Sequence, residues 1–178
     1  MKFTTLIFLL IVSLPAYSDQ PPDWQPYTIY SKNREWTAHI SREYEAENPW
    51  DDKWSIAVYR GIHYPFPRPD KKPVWSKEYE NNGYSEGLLS DDGKAFVYVE
   101  YWYRANYPAV KVYTADCAIM KNGSFFNVGR NMKKTVSHEL WLKDGSETKF
   151  VTIDGRQYVE IETVAGVRHV PVYCGPKT

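Results

Sequence analysis

Five turn dipeptides, each a glycine preceded by asparagine or aspartate, divide residues 82–155 of this chain into short segments. They are Asn82-Gly83, Asp92-Gly93, Asn122-Gly123, Asp144-Gly145 and Asp154-Gly155. Such pairs tolerate positive φ and favour tight β-hairpins. The segments between them are rich in β-branched and aromatic residues and show no sustained helical periodicity. The sequence therefore predicts an all-β antiparallel meander with very little helix, built as a twisted sandwich or a propeller-like fragment.

The strand pattern recurs along most of the chain. Strands are predicted over residues 36–40, 54–60, 73–79, 84–89, 94–104, 109–118, 124–128, 136–142, 148–153, 156–163 and 167–173. Residues 41–48 carry enough charge and enough helix formers to favour one turn of helix. Four prolines exclude a central strand from residues 61–73, which we predict to be the longest irregular loop.

The segment 94–104 has the most regular alternation in the chain. Because side chains alternate between the two faces of a strand, Ala95, Val97 and Val99 share one face. This face is continuously apolar, and we predict that it belongs to the hydrophobic core.

The opposite face of the same segment carries the candidate binding residues. Tyr98, Glu100 and Trp102 alternate along it, and Tyr107 follows beyond the strand. Aromatic rings beside a carboxylate suit a protein interface or a sugar-binding surface, in which the rings stack and the carboxylate accepts hydrogen bonds. The same pattern suits a strand that is covered on both sides, so both interpretations stand.

The N-terminus has the layout of a signal peptide. Lys2 is followed by an apolar run over residues 6–12 and by the small residues Ala16 and Ser18. We expect residues 1–18 to be removed and residues 19–178 to form a single all-β domain that is exported, either periplasmic or secreted. No later run is long and apolar enough to span a bilayer, so no integral membrane segment is expected after signal removal.

Cys117 and Cys174 are the only cysteines in the sequence. In an oxidising compartment, a pair of thiols usually forms a disulfide. Closing the loop of 57 positions between them would stabilise the fold by roughly 4 kcal/mol. A catalytic thiol is the alternative, but neither cysteine has the neighbouring residues that such a site requires.

The net charge and the lack of known catalytic motifs argue against several classes of function. The 22 basic and 22 acidic residues balance, which argues against nucleic acid, because phosphate binding needs concentrated positive charge. The sequence contains no nucleophile elbow, no zinc-binding helix and no glycine-rich phosphate loop. Its four histidines lack the spacing of metal ligands, so neither a metal nor a cofactor is expected.

Residues 88–97, which read Leu-Leu-Ser-Asp-Asp-Gly-Lys-Ala-Phe-Val, resemble the S-x-D-G turn and following strand of TolB-type β-propeller repeats. Residues 31–40 are similar in layout, although they lack the Asp-Gly pair. The resemblance covers about 20 residues. Closed propellers usually have at least four blades, which residues 19–178 barely allow. A propeller-like fragment or an ordinary twisted sandwich is therefore expected instead of a closed propeller.

These observations lead us to expect a binding protein without enzymatic activity. The first hypothesis is a protein partner, as for an envelope accessory factor or an inhibitor or immunity-type protein. The alternative is a glycan- or peptidoglycan-binding module that uses surface aromatics, since 16% of the residues are aromatic. A hydrolase whose site is assembled from distant residues is the third.

Overall fold

The computed structural model describes residues 25–44, 52–68, 70–80, 87–129, 132–135 and 138–174. The predicted signal peptide lies outside these residues, as does the predicted Asn82-Gly83 turn. The described chain is all-β, its strands pair antiparallel, and it contains one disulfide, which confirms the predicted fold class. Within the same ranges, no helix has the length and the apolar character needed to span a membrane.

Two four-stranded meanders form the first and second sheets. The first sheet contains β1 (Tyr27–Tyr30), β2 (Trp36–Tyr44), β3 (Lys53–Arg60) and β4 (Trp75–Tyr79), paired in chain order. The second sheet contains β5 (Leu88–Leu89), β6 (Ala95–Val99), β7 (Pro108–Thr114) and β8 (Ala118–Asn122), also in chain order.

The rest of the described chain adds a short ribbon and a third sheet. A 3-10 helix (Gly123–Phe126) follows β8, and β9 (Lys133–Lys134) pairs with β10 (Glu139–Leu140). The third sheet is a meander of β11 (Lys149–Ile153), β12 (Arg156–Thr163) and β13 (Gly166–Pro171).

The second sheet lies between the other two, and its central strands β6 and β7 are buried on both faces. Ala95, Val97 and Val99 of β6 pack in a core with the third sheet, which confirms the predicted core face. Phe96 and Tyr98 point the other way and pack in a separate core with the first sheet. The chain is therefore a stack of three sheets with two cores.

Several local predictions were wrong. Asn122-Gly123 is not a positive-φ hairpin turn, because Asn122 has φ of −68° and Gly123 begins the 3-10 helix. Residues 41–44 continue β2 instead of turning into helix, because they pair with β3 as far as Tyr44↔Lys53. Residues 123–126 form the 3-10 helix instead of a strand, and Phe126 is buried against Trp141. The segment 94–104 is a strand only to Val99.

The turn between β1 and β2 is built on a buried serine. The Ser31 hydroxyl donates to Asn33 Oδ1 (2.7 Å) and accepts from the Trp36 N–H (3.0 Å). Asn33 Oδ1 also accepts from the Glu35 N–H (3.0 Å), so one amide side chain closes the turn.

The turn between β5 and β6 repeats these bonds 59 positions later. The Ser90 hydroxyl donates to Asp92 Oδ1 (2.7 Å) and accepts from the Ala95 N–H (3.0 Å). Asp92 Oδ1 accepts from the Lys94 N–H (3.1 Å). The similarity noted in the sequence between residues 31–40 and 88–97 is thus a similarity of hydrogen bonding as well.

The two repeated turns are also hydrogen-bonded to each other. The Asn33 N–H donates to Asp91 Oδ1 (2.8 Å), and Asn33 Nδ2 donates to Asp91 O (2.9 Å). Trp75 Nε1 donates to Gly93 O (2.7 Å) in a buried position. Because these bonds cross from the first sheet to the second, the turns fix the relative position of the two sheets.

The predicted disulfide is present. Cys117 and Cys174 are bonded, and their Cα atoms are 6.4 Å apart. The bond joins the segment before β8 to a residue just beyond the third sheet. The C-terminal end of the described chain is therefore attached covalently to the second sheet.

Replacing both cysteines by serine should lower the free energy of unfolding by about 4 kcal/mol, because the unfolded chain regains the freedom of the open loop. Denaturant melts of the double variant against the wild type measure this difference. Wild-type protein treated with a reducing agent should match the variant. Two free thiols in the untreated protein, or superimposable melts, would contradict the assignment.

Candidate functional site

Tyr98 lies in the middle of the second sheet and faces the first sheet. Its side chain is 0% exposed. The ring meets Tyr79 edge-on at 5.9 Å between centroids, and Lys111 Nζ lies 5.8 Å from its centre. In this packing Tyr98 is a core residue, and a partner at the surface does not reach it.

Glu100 is also buried, and its carboxylate ends the strand. It accepts hydrogen bonds from the Tyr98 hydroxyl (3.2 Å) and from the backbone N–H of Tyr101 (3.0 Å). The Glu100 N–H still donates to Ala109 O of β7 (2.8 Å), but the following N–H, of Tyr101, donates to the Glu100 side chain, so the pairing with β7 ends here. This explains why the predicted alternation does not continue to residue 104.

Trp102 is half-buried at the edge of the β9–β10 ribbon. It stacks on the His138 ring with 4.1 Å between centroids and meets Tyr101 edge-on at 4.8 Å. Its backbone forms an isolated bridge with Leu140. Only part of this indole is accessible to a partner.

Tyr107 is the one predicted site residue that is largely exposed, at 62%. The guanidinium carbon of Arg104 lies 5.6 Å from the centre of its ring. The four predicted residues therefore do not form one site. Tyr98 and Glu100 are hydrogen-bonded to each other in the interior, Trp102 lies at the edge of the β9–β10 ribbon, and Tyr107 is at the surface.

A tyrosine-rich cleft of 690 Å³ opens between the first and second sheets. Tyr79 and Tyr113 lie at its base and meet edge-on at 5.6 Å. Burial raises the pKa of Tyr79 well above its ordinary value and raises the pKa of Tyr113 to about 12. Burial therefore favours the neutral form of both hydroxyls.

Charged groups surround this cleft. Lys111 is buried and binds Glu80 at 2.7 Å. Glu78, Asp52 and Lys77 also line the cleft. Within the described ranges, no group of three or more histidine, cysteine, aspartate or glutamate side chains is arranged to hold a metal ion. The cleft offers hydrogen-bonding groups, but its aromatic rings are buried in the base.

The proline-rich loop that follows β3 carries the most exposed apolar side chains. We define the proline-loop patch as Ile62, Tyr64, Phe66 and Val74, all of them exposed. Tyr64 is 83% exposed, the largest value among the exposed large apolar residues of the described chain. The sequence placed Tyr64 and Phe66 in a proline-rich loop, but it did not indicate how far their side chains are exposed.

The loop is anchored on the outer face of the first sheet. Thr28 Oγ1 donates to Pro65 O (2.8 Å), and Thr37 Oγ1 donates to Gly61 O (2.6 Å). The His39 ring meets Phe66 edge-on at 4.9 Å. Side chains from β1 and β2 therefore hold the loop in place while its apolar groups face outwards.

No protein-family model, curated protein or solved structure matches this chain.

The border of the proline-loop patch is mostly basic. Arg60, Arg68, Lys71 and Lys72 are exposed there, and Asp70 lies 3.7 Å from Arg68. An apolar centre with a polar border is the usual anatomy of a protein-binding surface.

Proposed function

We propose that this chain is an exported, non-enzymatic binding protein that recognises a protein partner through the proline-loop patch. One observation carries the proposal: four exposed apolar side chains are collected on a single anchored loop. A monomeric protein rarely leaves such a group uncovered unless something binds it. Tyrosine and phenylalanine are also among the residues enriched at interfaces.

The anchoring of the loop supports the same function. Binding costs conformational entropy for every group that has to be ordered at the interface. The hydrogen bonds from Thr28 and Thr37 to the loop backbone reduce this cost before the partner arrives. The role that fits is that of an envelope accessory factor or an inhibitor or immunity-type protein.

A hydrolytic role for Glu100, the carboxylate among the candidate binding residues, is disfavoured by its surroundings. Glu100 accepts hydrogen bonds from Tyr98 and from the backbone of the following residue. Its oxygens serve the fold, and the group is enclosed. A general acid or base has to reach its substrate, directly or through one water.

A protein partner is favoured over a glycan by the burial of the cleft rings. Stacking on a sugar needs the face of an aromatic ring, and Trp54, Tyr79 and Tyr113 at the cleft are all buried. The ring with the largest exposure among the described residues, that of Tyr64, lies instead on the proline loop.

We further propose that the first and second sheets are two copies of one repeat similar to the blades of TolB-type propellers. The matching hydrogen bonds of the turns at Ser31 and Ser90 support this. Because unrelated functions share a fold, the repeat by itself does not define the partner.

Replacing Tyr64 and Phe66 together by serine should weaken partner binding by at least about tenfold, the loss expected when two interface anchors are removed. The measurement is capture from an envelope extract of the producing cells by the chain 19–178, followed by the Kd of each purified captured protein for wild type and variant. The fold should be retained, because Tyr64 and Phe66 are exposed.

The matched control replaces Ile153 and Val167, two exposed apolar residues of the third sheet, by serine. This control should bind like the wild type. Equal Kd values for the wild type and the Tyr64/Phe66 variant would remove the patch as the binding site. Retention of glycan fragments without any protein would favour the glycan alternative.

A further inference from the structure

A second surface combines exposed rings with cations, at a different place from the proline-loop patch. Arg104 lies over the Tyr107 ring at 5.6 Å, and Lys121 Nζ lies 4.9 Å from the centre of the Phe125 ring. Both rings are largely exposed. We define these four residues as the cation platform.

The platform is held rigidly by backbone hydrogen bonds. The Gly123 N–H donates to Tyr107 O (3.0 Å), and the Ser124 N–H donates to Ala105 O (2.9 Å). A Cβ atom at Gly123 would lie 2.5 Å from Arg104 O, so only glycine permits this close approach. The loop that carries Tyr107 and the 3-10 helix that carries Phe125 therefore form one surface.

The cations of the platform have no carboxylate partner among the described residues. Neither Arg104 nor Lys121 makes an ion pair there, whereas other surface lysines do, as Lys133 does with Asp144 and Lys149 with Glu160. Arg168 adds a third cation beside the helix, since its Nε donates to Phe126 O (3.2 Å). In a chain with no net charge, this local excess of positive charge marks a surface that attracts anions.

We propose that the cation platform binds a carboxylate-rich segment of a protein partner. Arg104 can donate a forked pair of hydrogen bonds to a carboxylate, and Lys121 supplies a second charge. The two rings hold the cations and offer apolar contact to the neighbouring side chains of the segment. A long anionic polysaccharide would require a denser array of cations than the few that are interleaved with rings here.

The test uses a peptide of three Glu-Glu-Leu repeats and an isotope-labelled chain 19–178. Titration followed by NMR should give saturable shifts at residues 104–107 and 121–126, and the affinity should fall as salt is added. The Arg104→Gln/Lys121→Gln variant should lose about tenfold in affinity or more. Its own NMR spectrum reports whether the fold is retained.

The matched control is Lys32→Gln/Lys94→Gln, which removes the same charge from two exposed sites elsewhere. It should bind like the wild type, as should the Tyr64/Phe66 variant, because the platform is separate from the proline-loop patch. A peptide of Gln-Gln-Leu repeats should not bind.

Four results would overturn the proposal. In the first, the peptide causes no saturable shifts, and in the second, the shifts lie on the basic border of the proline loop. In the third, the control and platform variants lose equal affinity for the peptide. In the fourth, polygalacturonate binds at the platform and the peptide does not. The last result would assign the platform to an anionic glycan. A failure here leaves the proline-loop experiment unaffected, since the two tests use different residues.

Discussion

Replacing Gly93 by valine should lower the free energy of unfolding by about 5 kcal/mol, as backbone strain and overpacking add together. Gly93 has φ of +68°, which a β-branched residue adopts only with strain. A Cβ atom there would also lie 2.1 Å from Cδ2 of the Trp36 ring. Either the indole or the turn would have to move, and the contact between the first and second sheets would be lost with it.

The matched control for this change is Gly155→Val. Gly155 has a similar φ of +74°, but nothing lies within 4 Å of the position of its Cβ atom. Its loss of stability should therefore contain the backbone strain alone. Urea melts followed by tryptophan fluorescence compare the two, and Gly93→Ala provides a milder variant if the valine variant does not fold. Equal losses at Gly93 and Gly155 would show that the Trp36 contact contributes nothing.

Replacing Tyr98 by alanine should lower the free energy of unfolding by about 4 kcal/mol, as large aromatic truncations in a core do. The side chain is fully enclosed and packs among Tyr79 and the other rings between the first two sheets. Alanine would leave a cavity there. It would also remove the hydroxyl that donates to Glu100, and a buried acceptor without its donor adds to the loss.

Two variants separate these contributions. Tyr98→Phe removes only the hydroxyl and should cost about 1 kcal/mol. Tyr107→Ala truncates an exposed tyrosine and should change stability by less than about 0.5 kcal/mol. Denaturant melts of the three variants measure the differences. A stable Tyr98→Ala protein that has lost partner binding would show instead that Tyr98 is a recognition residue.

The turns and the disulfide are the features that sequence patterns predicted best. Gly93 and Gly155 adopt the positive φ that their Asp-Gly dipeptides indicate, and each turn connects two paired strands. Residues 124–126 show the limit of the same reasoning. Phe125 and Phe126 have strong strand propensity, but no strand pairs with them, and burial of Phe126 against Trp141 favours a 3-10 turn instead.

The candidate site was predicted less well, and Tyr98 and Tyr107 show why. Both are tyrosines close to the same strand, and composition does not distinguish them. Tyr98 is covered because the first sheet, formed by residues far away in the sequence, packs on that face of β6. Tyr107 stays exposed because it lies in a loop beside the 3-10 helix.

The sequence by itself determined the features that depend on neighbouring residues. These are the turns at Gly93, Gly145 and Gly155, the alternation of Ala95, Val97 and Val99, and the antiparallel meander that short segments and tight turns produce. The cysteine pairing also followed, since the chain contains only two thiols. Backbone sterics and side-chain alternation act within a few residues, so the pattern is visible without the fold.

Only the tertiary structure decided which surfaces are covered. Contacts with the first and third sheets cover both faces of β6, and the Glu100 carboxylate ends that strand. Hydrogen bonds from the first sheet anchor the proline loop. Each of these results depends on contacts between residues that are distant in the sequence. Exposure, and with it the choice of a binding surface, is a property of the packed sheets and not of any single strand.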